Sequence, residues 1–251
     1  MSLLSPSARI ALTPTRVALL AGGARRDALV ATPGWPGALE TLSGLLAGAT
    51  LRGRASVRLS HHFASVHLLA AAPVALKPQE MQGWILDQLG RQFGESGRDR
   101  RVAWQPEPRG EPFLAGSIEP GHLAELEVVL RAASLKPADV QPWLVSAWNR
   151  HRRQLGRGRA WFALAEPGRL TLLGLDAGRA RSLRSLPVES DGVGALAALL
   201  TREALLAGED DAAPVWVEAV DLEADWRALP GGRAVHVLSQ GRDALAAMLE
   251  R

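Results

Sequence analysis

The spacing of hydrophobic and polar positions changes along the chain, and each change marks an element. Arg9-Ile10-Ala11-Leu12 and Arg16-Val17-Ala18-Leu19-Leu20 flank Thr13-Pro14-Thr15 and read as two short strands, with a third over residues 28–31 completing a small meander. Pro36 suits the first turn of a helix running to about residue 47, with Leu39, Leu42, Leu45 and Leu46 on one face. Val57, Leu59, His61 and Phe63 alternate at period two, and Val66, Leu68 and Ala70 begin a second alternating segment. Met81, Ile85, Leu89 and Phe93 then recur every four residues, predicting a helix over 78–93 that Gly94 ends. Further strands are expected at 101–105, 113–118 and near 139–143, and helices at 122–133 and 148–155.

After Arg159 the texture returns to strands. Three of them are separated by Glu166-Pro167-Gly168-Arg169 and Asp176-Ala177-Gly178-Arg179. A helix over 193–206, strands at 215–220 and 234–238, and a last helix from 243 follow. The order of meander and then helix thus occurs twice. It predicts a mixed α/β chain of two related lobes, an N-terminal one over 1–156 and a C-terminal one over 157–251 that reads as shortened, joined near Gly156-Arg157-Gly158.

Composition narrows the class. The chain has 251 residues, enough to bury a sizeable core, and with 47% hydrophobic and 22% charged residues it is globular in composition. Net charge is only +3; the bases are nearly all arginine, with lysine at 77 and 136 alone, and there is no tyrosine or cysteine to titrate above neutrality. The arginine bias therefore does not specify a nucleic-acid surface. Absence of cysteine excludes disulfides, thiolate nucleophiles and cysteine-ligated metals. The opening segment is broken by Pro6, Arg9, Pro14 and Arg16, so no stretch there approaches the roughly 20 apolar residues of a membrane span, and a soluble chain is expected.

Candidate chemistry is sparse. His61, His62 and His67 cluster in Val57–Leu69, yet on a strand His61 and His62 point to opposite faces, and no HExxH or paired ligand spacing accompanies them. Structural histidines and no metal are expected. No GxSxG elbow surrounds any serine. Asp139, Asp176 and Asp191 fall in turns or near strand ends, His122 near a helix start, and His236 in an apolar segment that suits a core or interface histidine. Asp176-Ala177-Gly178 and Asp191-Gly192-Val193-Gly194 supply tight turns with exposed N–H groups, the second before a helix, and are the candidate anion cradles. The run from Arg150 to Arg159 is the densest positive feature, balanced by an acidic region over 203–225 that includes Glu209-Asp210-Asp211.

Leu59-Ser60-His61-His62-Phe63, the helix WILDQLGRQFG at 84–94 and VSAWNRHRR at 145–153 together resemble the actin-like assembly proteins of bacterial type IV pili, the PilM family, and the cytoplasmic portion of the type II secretion L protein. Leu59, Ser60, His62, Phe63, Phe93, Gly94 and Trp148-Asn149 carry the likeness, best supported over 57–184. The resemblance implies a two-lobed actin-like (ribonuclease H-like) fold. It also implies a non-enzymatic scaffold on the cytoplasmic face of the inner membrane, binding the tail of a membrane platform protein or the assembly ATPase. An actin-like nucleotide site expects acidic, glycine- and hydroxyl-rich hairpins. The first hairpin here, Ala11 to Arg16, has neither Asp nor Gly, and Pro14 removes an N–H; the second retains Asp176 and Gly178 alone. A degenerate or empty cleft and no cofactor are expected.

Arg150, Arg152, Arg153 and Trp148 are the candidates for a docking surface, and the eight tryptophans are candidates either for groove pockets or for the core. A weak ATPase using Asp176 and Gly178 with the Gly192–Gly194 turn is the competing enzyme reading. A nucleic-acid adaptor through 150–159 is the third.

Overall fold

The computed structural model describes residues 7–105, 110–189, 192–207 and 212–250. The chain forms two compact units, residues 1–146 with 248–251, and residues 147–247. The change of unit falls earlier than the 156/157 division expected from the glycine-rich turn.

In the first unit, β1 (Ala8–Leu12), β2 (Arg16–Ala21) and β3 (Ala24–Leu29) form the antiparallel meander. After α1 (Trp35–Ala47), β4 (Gly53–Leu59) pairs parallel with β1, and β8 (Leu135–Pro142) pairs parallel with β4, giving the order β3-β2-β1-β4-β8. Ile10, Leu12, Val17 and Leu19 alternate with residues of the other face and pack on Leu42 and Leu46 of α1 and Leu126 and Leu130 of α4 (Pro120–Ala132). Between β4 and α4 the chain builds a smaller antiparallel sheet from β5 (Ala64–Leu69), β6 (Arg101–Trp104) and β7 (Phe113–Ile118), in the order β5-β7-β6. It is backed by α2 (Pro78–Phe93) through Ile85, Leu89 and Phe113, and the short α3 (Glu95–Arg98) follows α2 directly.

The change of unit falls within α5 (Trp143–His151), and the second unit repeats the larger sheet. β9 (Ala160–Glu166), β10 (Arg169–Asp176) and β11 (Arg179–Pro187) form the meander. α6 (Gly192–Ala207) leads to β12 (Val215–Val220), and β13 (Val235–Gln240) and α7 (Gly241–Met248) end the unit. The order β11-β10-β9-β12-β13, with β9, β12 and β13 parallel, matches the first unit strand for strand and sense for sense. Ala163, Leu170, Leu172, Val215 and Val217 pack on Leu196, Leu199 and Leu200 of α6. Trp226, 1% exposed, closes this core, and a Cβ at Gly192 would lie 2.8 Å from its ring, so the first residue of α6 is glycine for room.

Candidate functional site

The histidine-rich stretch is a turn. β4 ends at Leu59, so His61 and His62 lie in the connection to β5 and are not on a strand as the alternation suggested. Ser60 organises that turn: its N–H donates to the Leu12 carbonyl at 2.9 Å, its carbonyl accepts from Phe63 N–H at 3.0 Å, and its Oγ accepts from His62 N–H at 3.1 Å. Phe63 is thereby set edge-on to Trp35, 5.1 Å away, and His122 stacks on the other side of Trp35 at 4.4 Å. The turn thus anchors the small sheet to the larger one. Among the described residues no group of three His, Cys, Asp or Glu is placed to hold a metal.

His67, on β5, shares a 2.9 Å hydrogen bond with Ser117 Oγ of β7 and meets the Phe93 ring edge-on at 5.3 Å. Burial, aided by the Arg100 guanidinium, pushes its imidazolium down to about 4 from the ordinary 6.5. The folded state therefore binds the proton less readily than the unfolded state. His67 contributes stability fully above pH 6.5, and that contribution is lost as pH falls from 6.5 through about 4. Thermal unfolding between these limits should show a melting temperature that drops with acidification in the native chain and drops less in His67→Gln. Equal slopes would show that His67 is not the group responsible.

The small sheet lines two apolar hollows. One, of about 270 Å³, lies where β6 and β7 face the end of β8, with Leu59, Val102, Ala103, Leu123, Val140 and Pro142 as its apolar wall and Arg101, Ser117 and Gln141 as its polar groups. Gly116 makes the close approach possible, since a Cβ there would stand 3.2 Å from Cγ of Pro142. A second hollow of about 660 Å³ lies along the opposite side of β6, with Val74, Leu76, Met81, Trp104 and Phe113. β6 is the outer strand of its sheet, so its unpaired backbone edge runs between the two hollows. Trp104, one of the tryptophans expected in groove pockets or in the core, lies on β6 and lines the second hollow. The signal available was the alternation Arg101-Val102-Ala103-Trp104, whose exposed and half-buried positions alternate on the strand.

The predicted site residues are dispersed. Asp176 and Gly178 form the β10–β11 hairpin, a two-residue turn with φ of 52° at Ala177 and 73° at Gly178. Gly192 opens α6 at the other end of β10, which spans roughly 23 Å over its length. Asp176 lines a hollow of about 430 Å³ with Trp161, whereas Gly192 lines one of about 200 Å³ with Trp226. Gly194 is exposed two residues further on. The glycine turns therefore do not assemble one anion cradle. Asp191, and the acidic Glu209-Asp210-Asp211, lie outside the described residues.

Of the docking candidates, Arg152 and Arg153 are exposed, and the Arg152 guanidinium sits 5.9 Å from the ring centroid of Trp148. Trp148 itself is buried. Arg150 turns inward: it lies 3.7 Å from the Glu218 carboxylate and donates to the Ala247 carbonyl, with His151 3.8 Å from the same carboxylate. Glu218 is wholly buried and also accepts from Ser239 Oγ at 3.0 Å. The end of the helix explains the split, because Arg150 lies on α5 whereas Arg152 and Arg153 fall in the turn that follows His151. His236, expected in a core or interface, is exposed on the outer strand β13 and stacked on Trp216 at 4.1 Å.

The turn that holds, in the second sheet, the place of β1–β2 in the first is β9–β10, at the carboxyl end of a parallel strand, where open α/β sheets take ligands. Neither turn fits a polyphosphate. In β1–β2, Thr13 is buried, its Oγ1 accepts from Arg16 N–H at 2.9 Å, and Pro14 has no N–H to offer. In β9–β10, Pro167 again lacks the donor, Glu166 is a buried carboxylate, and Glu189 and Glu223 line the same 200 Å³ hollow. Three carboxylates against Arg169 oppose a phosphate chain electrostatically.

No family model matches the chain, and no curated protein matches it in sequence. Solved structures do. A chain of the PilM–PilN type IV pilus biogenesis complex superposes with a TM-score of 0.68 at 12% identity, covering 98% of this chain and 97% of that one. The cytoplasmic domain of EpsL, an inner-membrane component of the type II secretion system of Vibrio cholerae, gives 0.60 at 13% identity over 97% and 94%. A Bacteroides thetaiotaomicron protein with an actin-like ATPase fold and unknown function gives 0.63 at 7% identity over 97% and 95%. The chain thus has a mixed α/β fold of the actin-like kind.

Proposed function

We propose that this chain is a non-enzymatic, two-lobed actin-like scaffold of a type IV pilus or type II secretion inner-membrane platform. Its place is the cytoplasmic face of the membrane, held there by partners. The supporting observation is the end-to-end likeness to the PilM–PilN complex and EpsL cytoplasmic-domain structures, which spans nearly the whole of both chains. The groove beside β6 supplies a means. An extended tail lying along that strand finds unpaired backbone groups for main-chain hydrogen bonds and apolar hollows on either side for alternate side chains. No described helix is long and apolar enough to cross a membrane. A membrane-platform tail is the first partner and the assembly ATPase the second. Arg152 and Arg153 are the part of the proposed charged docking surface that faces solvent. The hairpins that oppose phosphate favour the scaffold over the weak ATPase. Recovery of a pilus or secretion platform protein with the native chain from mildly solubilised membranes tests the proposal.

A further inference from the structure

The sheet edges differ in how they are guarded. An edge strand offers unpaired N–H and C=O groups to any other strand, and natural edges are blunted by charge, proline or shortness. β3 carries Arg25, Arg26 and Asp27, β11 carries Arg179, Arg181 and Arg184 and ends on Pro187, and β8 contains Lys136, Pro137, Asp139 and Pro142. β6 has only four residues and is the edge assigned above to a partner's tail, while β5 lies against β8. β13 is different. Its sequence, VHVLSQ, has no acidic or strongly basic side chain and no proline; among the described residues it is the outermost strand of its sheet, the short turn Trp226–Ala228 touches it, and His236 and Gln240 are exposed.

The pairing of β13 with β12 fixes which way its side chains face. Val235, His236 and Val237 pair with Val215, Trp216 and Val217, and the register then skips to Ser239 opposite Glu218 and Gln240 opposite Ala219, leaving Leu238 as the extra residue of a bulge. Val235 and Val237 pack toward the α6 core, and Gln240, opposite the core residue Ala219, shares that side. His236, on Trp216, and Ser239, on Glu218, share the other.

We propose that β13 is a self-association edge, on which two copies of this chain pair antiparallel about a two-fold axis between Val237 and Leu238. In that register His236 of each copy lies opposite Ser239 of the other, and Val235 lies opposite Gln240; both pairs match in face. A slip of one residue sets His236 against Gln240 or Val235 against Ser239, which face opposite ways. The bulge makes the register specific. It also selects the occupant, because a regular foreign strand would meet Leu238 without a counterpart, whereas a second copy brings the same irregularity to the axis. No like charges face one another across the pair. The Ser239 hydroxyl gives its proton to Glu218 and keeps lone pairs for the His236 ring N–H of the second copy. This proposal stands apart from the pilus or secretion reading and does not require it.

Sedimentation equilibrium of the full chain, over about two decades of concentration into the high micromolar range, tests it. The native chain should approach twice its monomer mass, and His236→Lys should raise the dimer dissociation constant roughly tenfold or more, since the two-fold axis counts each altered pair twice. Leu29→Lys, on the already guarded β3, should leave dimerisation unchanged. Amide exchange over residues 235–240 of the native chain should slow as concentration rises, which decides the matter even if the lysine variant fails to fold. A monomer at every concentration, a dimer indifferent to His236→Lys, or exchange in β13 that ignores concentration would overturn the proposal.

Discussion

Glu218→Ala should lower the free energy of unfolding by about 3–5 kcal/mol, which is much of the stability of an ordinary domain. Glu218 is fully buried on β12, and its carboxylate is the common partner of Arg150 at 3.7 Å, His151 at 3.8 Å and the Ser239 hydroxyl at 3.0 Å. Truncation leaves the Arg150 guanidinium, only 14% exposed, beside an apolar void in place of the Glu218 carboxylate. The penalty is thus mainly the desolvation of what remains, and little of it measures the strength of the pair itself. The double replacement Glu218→Met with Arg150→Met should therefore recover most of the loss, because an apolar pair of similar volume carries no charge to desolvate. Urea unfolding of the three proteins checks this. A single variant within about 1 kcal/mol of the native chain would mean that the cluster is wet and weak.

Ala103→Arg should abolish stable partner recruitment while leaving the fold intact. Ala103 lies on the outer strand β6, is exposed, and borders both the 270 Å³ and the 660 Å³ hollows. A guanidinium there fills the space that the proposed tail would occupy and sets a charge beside the outer edge of β6, which is how natural edges are blocked. The loss should be about 2 kcal/mol or more, roughly thirtyfold in affinity, as for a residue at the centre of an interface. Val128→Arg, at an exposed position on α4, serves as the control and should bind as the native chain does. Equal recruitment by the two variants would place the partner elsewhere.

Much of the fold was legible because one face of most elements is buried. Leu39, Leu42 and Leu46, and Ile85 and Leu89, recur at helical spacing and occupy the core as that spacing predicts. The hairpins at 166–169 and 176–179 announce themselves through Pro-Gly and Ala-Gly turns. β3 and β8 were placed less well, and both are edge strands. Arg25 to Asp27 and Lys136-Pro137 look like loop because an edge needs neither apolar alternation nor every N–H. The candidate site was legible only in kind. Two glycine turns look alike in sequence, yet Asp176 and Gly192 mark opposite ends of β10, a difference that strand order alone reveals. Arg150, Arg152 and Arg153 read as one basic patch, yet one of the three is drawn inward by Glu218, 68 positions away in sequence (218 − 150). Of the groove beside β6 only Trp104 was legible as a candidate, because the other walls come from β4, β5, β7, α4 and β8, none of which is unusual alone.

The most direct test of the scaffold reading is native co-purification of the chain from mildly solubilised membranes, with stoichiometric partners identified by mass spectrometry. The account predicts an inner-membrane pilus or secretion platform protein, or its assembly ATPase, recovered with the native chain and lost with Ala103→Arg. A chain found wholly in the soluble fraction, with no such partner at any stoichiometry, would contradict it.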